Sequence, residues 1–119
     1  MNFTREQEQA VRLRNCDILV SAGAGAGKTR VLVNRMAEMI LDEKHPLSVD
    51  AFLVMTFTNA AAEEMRERIT AELDARLEKE PENRRLRRQI RMMKHADIST
   101  VHSFCNRLIR THFNEAGID

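Results

Sequence analysis

Eight consecutive residues, Ala22-Gly23-Ala24-Gly25-Ala26-Gly27-Lys28-Thr29, carry the densest chemical signal in the chain. A loop that cradles phosphates must bring backbone N–H groups up to the oxygens. Only small residues permit that approach, and glycine tolerates the positive φ it requires. The lysine adds a full charge for the β- and γ-phosphates, and the threonine offers a hydroxyl to Mg²⁺. The pattern is G-x-x-x-x-G-K-[ST], except that Ala22 stands at the first glycine. Ala22, Gly23, Ala24, Gly25, Ala26 and Gly27 are therefore the expected ATP cradle. Lys28 and Thr29 are the expected catalytic pair, with Thr29 holding Mg²⁺. The competing reading is a flexible Gly-Ala turn with a surface lysine.

A phosphate-binding NTPase also needs a second carboxylate, usually at the end of an apolar strand. Met39-Ile40-Leu41-Asp42-Glu43 imitates one. These residues continue the helix that starts at the loop, so Asp42 should lie about 20 Å from Lys28. Glu63-Glu64 follows an alanine run with helical spacing. Neither is a credible Mg²⁺ ligand, and no arginine finger stands out. The chain carries about half of an ATPase.

The elements that must position this chemistry can be read from pattern. Thr4 and Gln7 have capping-box spacing for a helix to about Leu13. Residues 17–21 are a short apolar run before the loop and read as a buried strand. From Lys28 to Leu41 the spacing is helical, with Val33, Met36, Ala37, Ile40 and Leu41 on one face. Residues 51–57 read as a second strand, buried on both faces. Asn59 is the expected cap of a helix to about Lys79, and Pro81 breaks it. Asn83 can cap another helix to about Lys94. A third strand is expected at residues 98–101. A last helix over residues 100–113 should bury Phe104, Leu108 and Ile109. Strands alternating with helices predict an α/β fold, a parallel sheet wrapped by helices.

Composition narrows the class. The chain has 119 residues, 43% hydrophobic and 31% charged, which suits one ordinary globular domain or a piece of a larger one. A net charge of +1 excludes a uniformly basic coat. No apolar run approaches the length of a membrane span. Cys16 and Cys105 form no disulfide framework and no metal-ligand spacing, so a reduced, cytoplasmic setting is expected. One stretch is lopsided. Acids crowd residues 63–82, while Arg84, Arg85, Arg87, Arg88, Arg91 and Lys94 follow with no acid among them. These are either two solvated helix faces that pair with each other or a phosphate-facing patch.

The loop, with alanine first, resembles motif I of superfamily 1 DNA helicases of the UvrD/Rep type. Residues 3–11, Phe-Thr-Arg-Glu-Gln-Glu-Gln-Ala-Val, resemble the Q motif of that family. Residues 54–69 resemble motif Ia, and residues 99–105, Ser-Thr-Val-His-Ser-Phe-Cys, resemble motif Ib. Four motifs in order cover nearly the whole chain. Ala60, where a lysine is usual, and the charged insert at residues 78–93 are most similar to the helicase–nuclease type AddA, a relative of RecB.

The resemblance implies a RecA-like P-loop NTPase fold, with residues 1–119 an incomplete N-terminal part of domain 1A. It implies ATP and Mg²⁺ as cofactors, single-stranded DNA as partner and an AddB-like second subunit for the parent protein. The implied parent activity is ATP-dependent unwinding in double-strand-break repair and recombination, in the bacterial cytoplasm. By the same resemblance Gln7 holds the adenine edge. On its residues alone it is the capping partner of Thr4. Phe57 stacks on a DNA base, with Thr56, Thr58 and Asn59 near the backbone; on composition alone it is a core phenylalanine. His102 and Ser103 touch the DNA backbone, or are merely a polar helix start. A non-catalytic nucleotide- or DNA-binding module and a different P-loop enzyme, such as a small kinase, are the alternatives.

Overall fold

The computed structural model describes residues 3–21, 27–115 and 117. The first helix, α1 (Arg5–Arg12), starts with the expected reciprocal box. Thr4 Oγ1 accepts from the Gln7 amide at 3.2 Å, and Gln7 Oε1 accepts from the Thr4 amide at 2.9 Å. Two otherwise orphaned N–H groups are satisfied at once.

Gly27 caps α2 (Lys28–Ile40). Val33, Met36, Ala37 and Ile40 are buried, and Leu41 packs half-buried beside them. A turn of 3₁₀ helix (Val49–Ala51) leads to β1 (Leu53–Thr56). Helix α3 (Asn59–Lys79) follows, then α4 (Arg84–Arg91), capped by Asn83 through a bond from the Leu86 amide at 2.9 Å. A second 3₁₀ turn (Met92–His95) precedes β2 (Asp97–Thr100) and α5 (Val101–Thr111).

β1 and β2 pair in parallel, with Leu53 opposite Asp97 and Thr56 opposite Thr100. The main core gathers Ile40 from α2, Ile69 and Leu73 from α3, Leu86 from α4, and Val54 and Ile98 from the strands. Burying each such side chain contributes about 1.5–3 kcal/mol. A smaller cluster of Ala10, Val11 and Val31 docks α1 on α2. Arg76 braces α3 to α2, donating to Glu72 at 2.9 Å and Glu38 at 3.0 Å. Burial alone would lower its pKa, but the bonds to both carboxylates raise it instead.

Four expectations need correction. Residues 17–21 form no strand, and Leu19 is 94% exposed. A strand exists only as one side of a hydrogen-bonded pair, and no described segment pairs with this one. The strand expected over residues 51–57 starts at Leu53, because Ala51 ends the 3₁₀ turn. It is covered on one face only: Val54 is buried, while Leu53 and Met55 are exposed. The cap of α3 is Thr58, not Asn59. Thr58 has extended backbone, and its hydroxyl accepts from the Ala61 amide at 3.0 Å. Finally, α5 buries none of its residues, and Leu108 and Ile109 are exposed. Phe104 is half-buried, but the stripe at Leu108 and Ile109 stays open, so periodicity there marks a face that is only partly covered.

Candidate functional site

The site has two ends, set by the strand ends and by the start of α2. At the start of α2, Gly27 has φ +82°, the left-handed region that favours glycine. Among the described residues no side chain caps α2, whose first N–H groups and partial positive charge gather at Gly27. That is the arrangement in which helices hold anions. Lys28 is exposed at the first position of α2 and Thr29 is half-buried beside it. Ala22, Gly23, Ala24, Gly25 and Ala26 lie outside the described residues.

Gln7 is brought to this turn by the docking of α1 on α2. Its Nε2 lies 3.4 Å from the point where a Cβ on Gly27 would stand. The two readings of Gln7 are thus compatible, because Oε1 closes the capping box while Nε2 lies beside Gly27. Between the helices opens a cleft of about 430 Å³, lined by Gln7, Ala10, Leu13, Ser21, Lys28 and Val31 among others. An α1–α2 clamp that the sequence did not reveal holds it. Arg35 of α2 donates to the carbonyls of Ala10, at 2.9 Å, and of Leu13, the last turn of α1. Burial, then the nearby Arg14, lowers the pKa of Arg35. An arginine inside a helix gives no sequence signal for a contact 22 or 25 residues away.

Asp42 is bound up in the turn that follows α2. It sits beyond the end of α2 and accepts from the Lys44 amide at 2.8 Å and the His45 amide at 2.9 Å. Those two bonds hold its pKa below the usual carboxylate range. Glu63 and Glu64 lie exposed on α3, and Glu64 pairs with Arg68.

At the other end, the parallel register places the residues after β1 beside those after β2. Phe57 follows Thr56 and is 96% exposed, so it is not a core residue. Thr56 Oγ1 donates to the Thr58 carbonyl at 3.0 Å, and Thr58 caps α3, which begins at Asn59. On the neighbouring strand, Thr100 Oγ1 accepts from the Ser103 amide at 3.0 Å, opening α5. His102 and Ser103 are exposed in its first turn. The ligands of open α/β sheets collect at such carboxyl strand ends. Arg66, also missed in sequence, ties the two halves. It reaches from α3 to the carbonyls of Met93 at 2.7 Å and Ala96 at 3.3 Å, just before β2.

No cluster of ligating side chains that could hold a metal ion occurs among the described residues. No described helix is long and apolar enough to cross a membrane.

Known proteins carry the same chain pattern. The chain is 50% identical over 117 residues to AddA, of the ATP-dependent helicase/nuclease, from Clostridium botulinum (strain Loch Maree / Type A3), covering 98% of this chain and 9% of that protein. It is 47% identical over 119 residues to AddA of Clostridium novyi (strain NT), covering 100% of this chain and 10% of that protein. The chain thus spans about a tenth of the length of these relatives. Residues 3–119 match the family described as UvrD/REP helicase N-terminal domain. On a match that covers nearly every residue, the chain belongs to the UvrD/REP helicase N-terminal domain family.

Proposed function

We propose that this chain is the ATP- and single-stranded-DNA-binding part of an ATP-dependent DNA helicase of the AddA helicase/nuclease type. The parent would act in double-strand-break repair and recombination, with an AddB-like second subunit, in the bacterial cytoplasm. The observation that carries this reading is the Gln7–Gly27 approach at the uncapped start of α2. It sets an amide that can both donate and accept beside a helix start suited to an anion.

The residues fit Mg²⁺-ATP. Gly27 and the N–H groups of α2 would face the phosphates, with the expected cradle residues Ala22, Gly23, Ala24, Gly25 and Ala26 before them. Lys28 would neutralise charge on the γ-phosphate. Thr29 would give its hydroxyl to Mg²⁺, and the metal would offset the remaining phosphate charge. Gln7 would select adenine, since an amide both donates and accepts. Phe57 would stack on a base, with Thr56, Thr58, Asn59, His102 and Ser103 near the backbone. The fold assigned is the RecA-like P-loop type, with residues 1–119 forming part of domain 1A.

This chain alone binds ATP without turning it over. Phosphoryl transfer needs a second carboxylate, and Asp42 is engaged with Lys44 and His45 past the end of α2. The chain alone therefore acts as a nucleotide- and DNA-binding module. The test is ATP binding and turnover, with and without oligo-dT, beside Lys28→Ala. Binding that needs Lys28, without turnover, supports the reading. Lys28-dependent turnover would replace it with a self-sufficient NTPase. Phosphate transfer to a nucleotide acceptor would replace it with a kinase.

A further inference from the structure

Six cations, Arg84, Arg85, Arg87, Arg88, Arg91 and Lys94, follow one another with no acid between them. They do not pair with the acids of α3. Glu64 and Glu72 pair with Arg68 and Arg76 of α3 itself, and among the described residues no ion pair involves any of the six. The structure divides them by task. Arg85 turns inward and donates to the carbonyls of Ile40 and, at 2.7 Å, Leu47. Arg87 donates to the Pro81 carbonyl at 2.7 Å. Leu86 and Gln89 are buried, and Gln89 Oε1 accepts from the Val49 amide at 2.7 Å. These contacts fix α4 rigidly on the core.

What remains is an exposed row. Arg84, Arg88 and Arg91 stand at i, i+4 and i+7, one helix face, and Lys94 follows in the 3₁₀ turn. We infer that this face of α4 is a second nucleic-acid surface, which holds duplex DNA by its phosphates. Three facts favour duplex over single strand. The cations sit on a rigid helix. They carry no competing ion pair. The stretch from Arg84 to His95 contains no Phe, Tyr or Trp, whereas single-strand grooves need stacking platforms. Phosphate contact by arginine without base stacking is the sequence-independent mode of duplex binding. Helix α3, 21 residues or about 30 Å long, separates Phe57 from the turn at which α4 begins.

The inference rests on the chain being a nucleic-acid binder, and the test separates the two. Binding of the 119-residue chain to a blunt duplex and to oligo-dT is measured by anisotropy between 50 and 200 mM salt. Four phosphate contacts predict duplex affinity falling about 100-fold over that range. Arg84→Gln/Arg88→Gln/Arg91→Gln/Lys94→Gln should flatten this dependence and leave oligo-dT binding within about 3-fold, whereas Phe57→Ala should do the reverse. Replacing the three arginines by lysine should restore the duplex dependence. Should the fourfold variant fail to fold, Arg88→Gln alone should lower the salt slope by about one unit. Oligo-dT binding without duplex binding overturns the α4 surface and leaves the proposed function standing. Loss of both ligands in the α4 variant, or equal binding of polyglutamate, overturns the duplex assignment. Failure to bind either DNA overturns both readings.

Discussion

Gln7 Nε2 lies 3.4 Å from where a Cβ on Gly27 would be, so the side chain that locks the start of α1 also overhangs the start of α2. Its two ends have separate duties, and chemistry can separate them. Glutamate keeps a capping-box acceptor but has no amide donor. Gln7→Glu should therefore leave stability within about 0.5 kcal/mol, while ATP affinity falls and preference for ATP over GTP disappears. Gln7→Ala should lose both, with stability down by about 1 kcal/mol. Urea midpoints and nucleotide titrations decide; an unchanged ATP preference in the glutamate variant would remove Gln7 from the adenine site.

What sequence could convey follows the range of the interaction. The Thr4–Gln7 box and the α2 stripe of Val33, Met36, Ala37 and Ile40 were legible because they are local and periodic. Residues 17–21 misled because apolar content cannot supply a pairing partner. Phe57 was ambiguous for a related reason. An aromatic ending an apolar run looks the same whether its ring is packed or, as here, almost fully exposed. The placement of Asn59 failed by one residue because the threonine before it can cap as well. Arg35, Arg66 and Gln89 make bonds across 22 to 41 residues, which no single-chain pattern encodes.

The Arg35 clamp should matter to the cleft more than to the core. Arg35→Met leaves the final carbonyls of α1 without their donor and should cost about 1–3 kcal/mol. Hydrogen exchange should rise first in α1 and little in α3, and nucleotide binding should weaken with it. Uniform exchange throughout the chain would show instead that α1 and the core unfold as one unit.

Asp42 sets a local pH response. Its folded pKa is depressed by the His45 and Lys44 amides, so the unfolded chain takes up its proton first as pH falls. The stabilisation is complete above the unfolded value, near pH 4, and is lost as pH drops through the lower folded value. Asp42→Asn should reduce the acid sensitivity of the loop after α2 and leave behaviour at pH 7 nearly unaltered. Amide exchange at Lys44 and His45 between pH 2 and 5 reads this directly. An acid response identical in both proteins would assign it to another carboxylate.

Phe57 is the clearest separation of function from stability. At 96% exposure its ring has almost no packing to lose, so Phe57→Ala should leave the unfolding midpoint unchanged. If the ring stacks on a base, the same change removes about 1–3 kcal/mol of binding, roughly 5- to 150-fold in affinity for oligo-dT. Phe57→Trp should retain that affinity, because a larger π-face stacks as well. Phe57→Leu should not, though it keeps much of the apolar area. Equal affinity for the leucine and tryptophan variants would make the contact hydrophobic rather than stacked. No loss in the alanine variant would move the DNA path away from the end of β1.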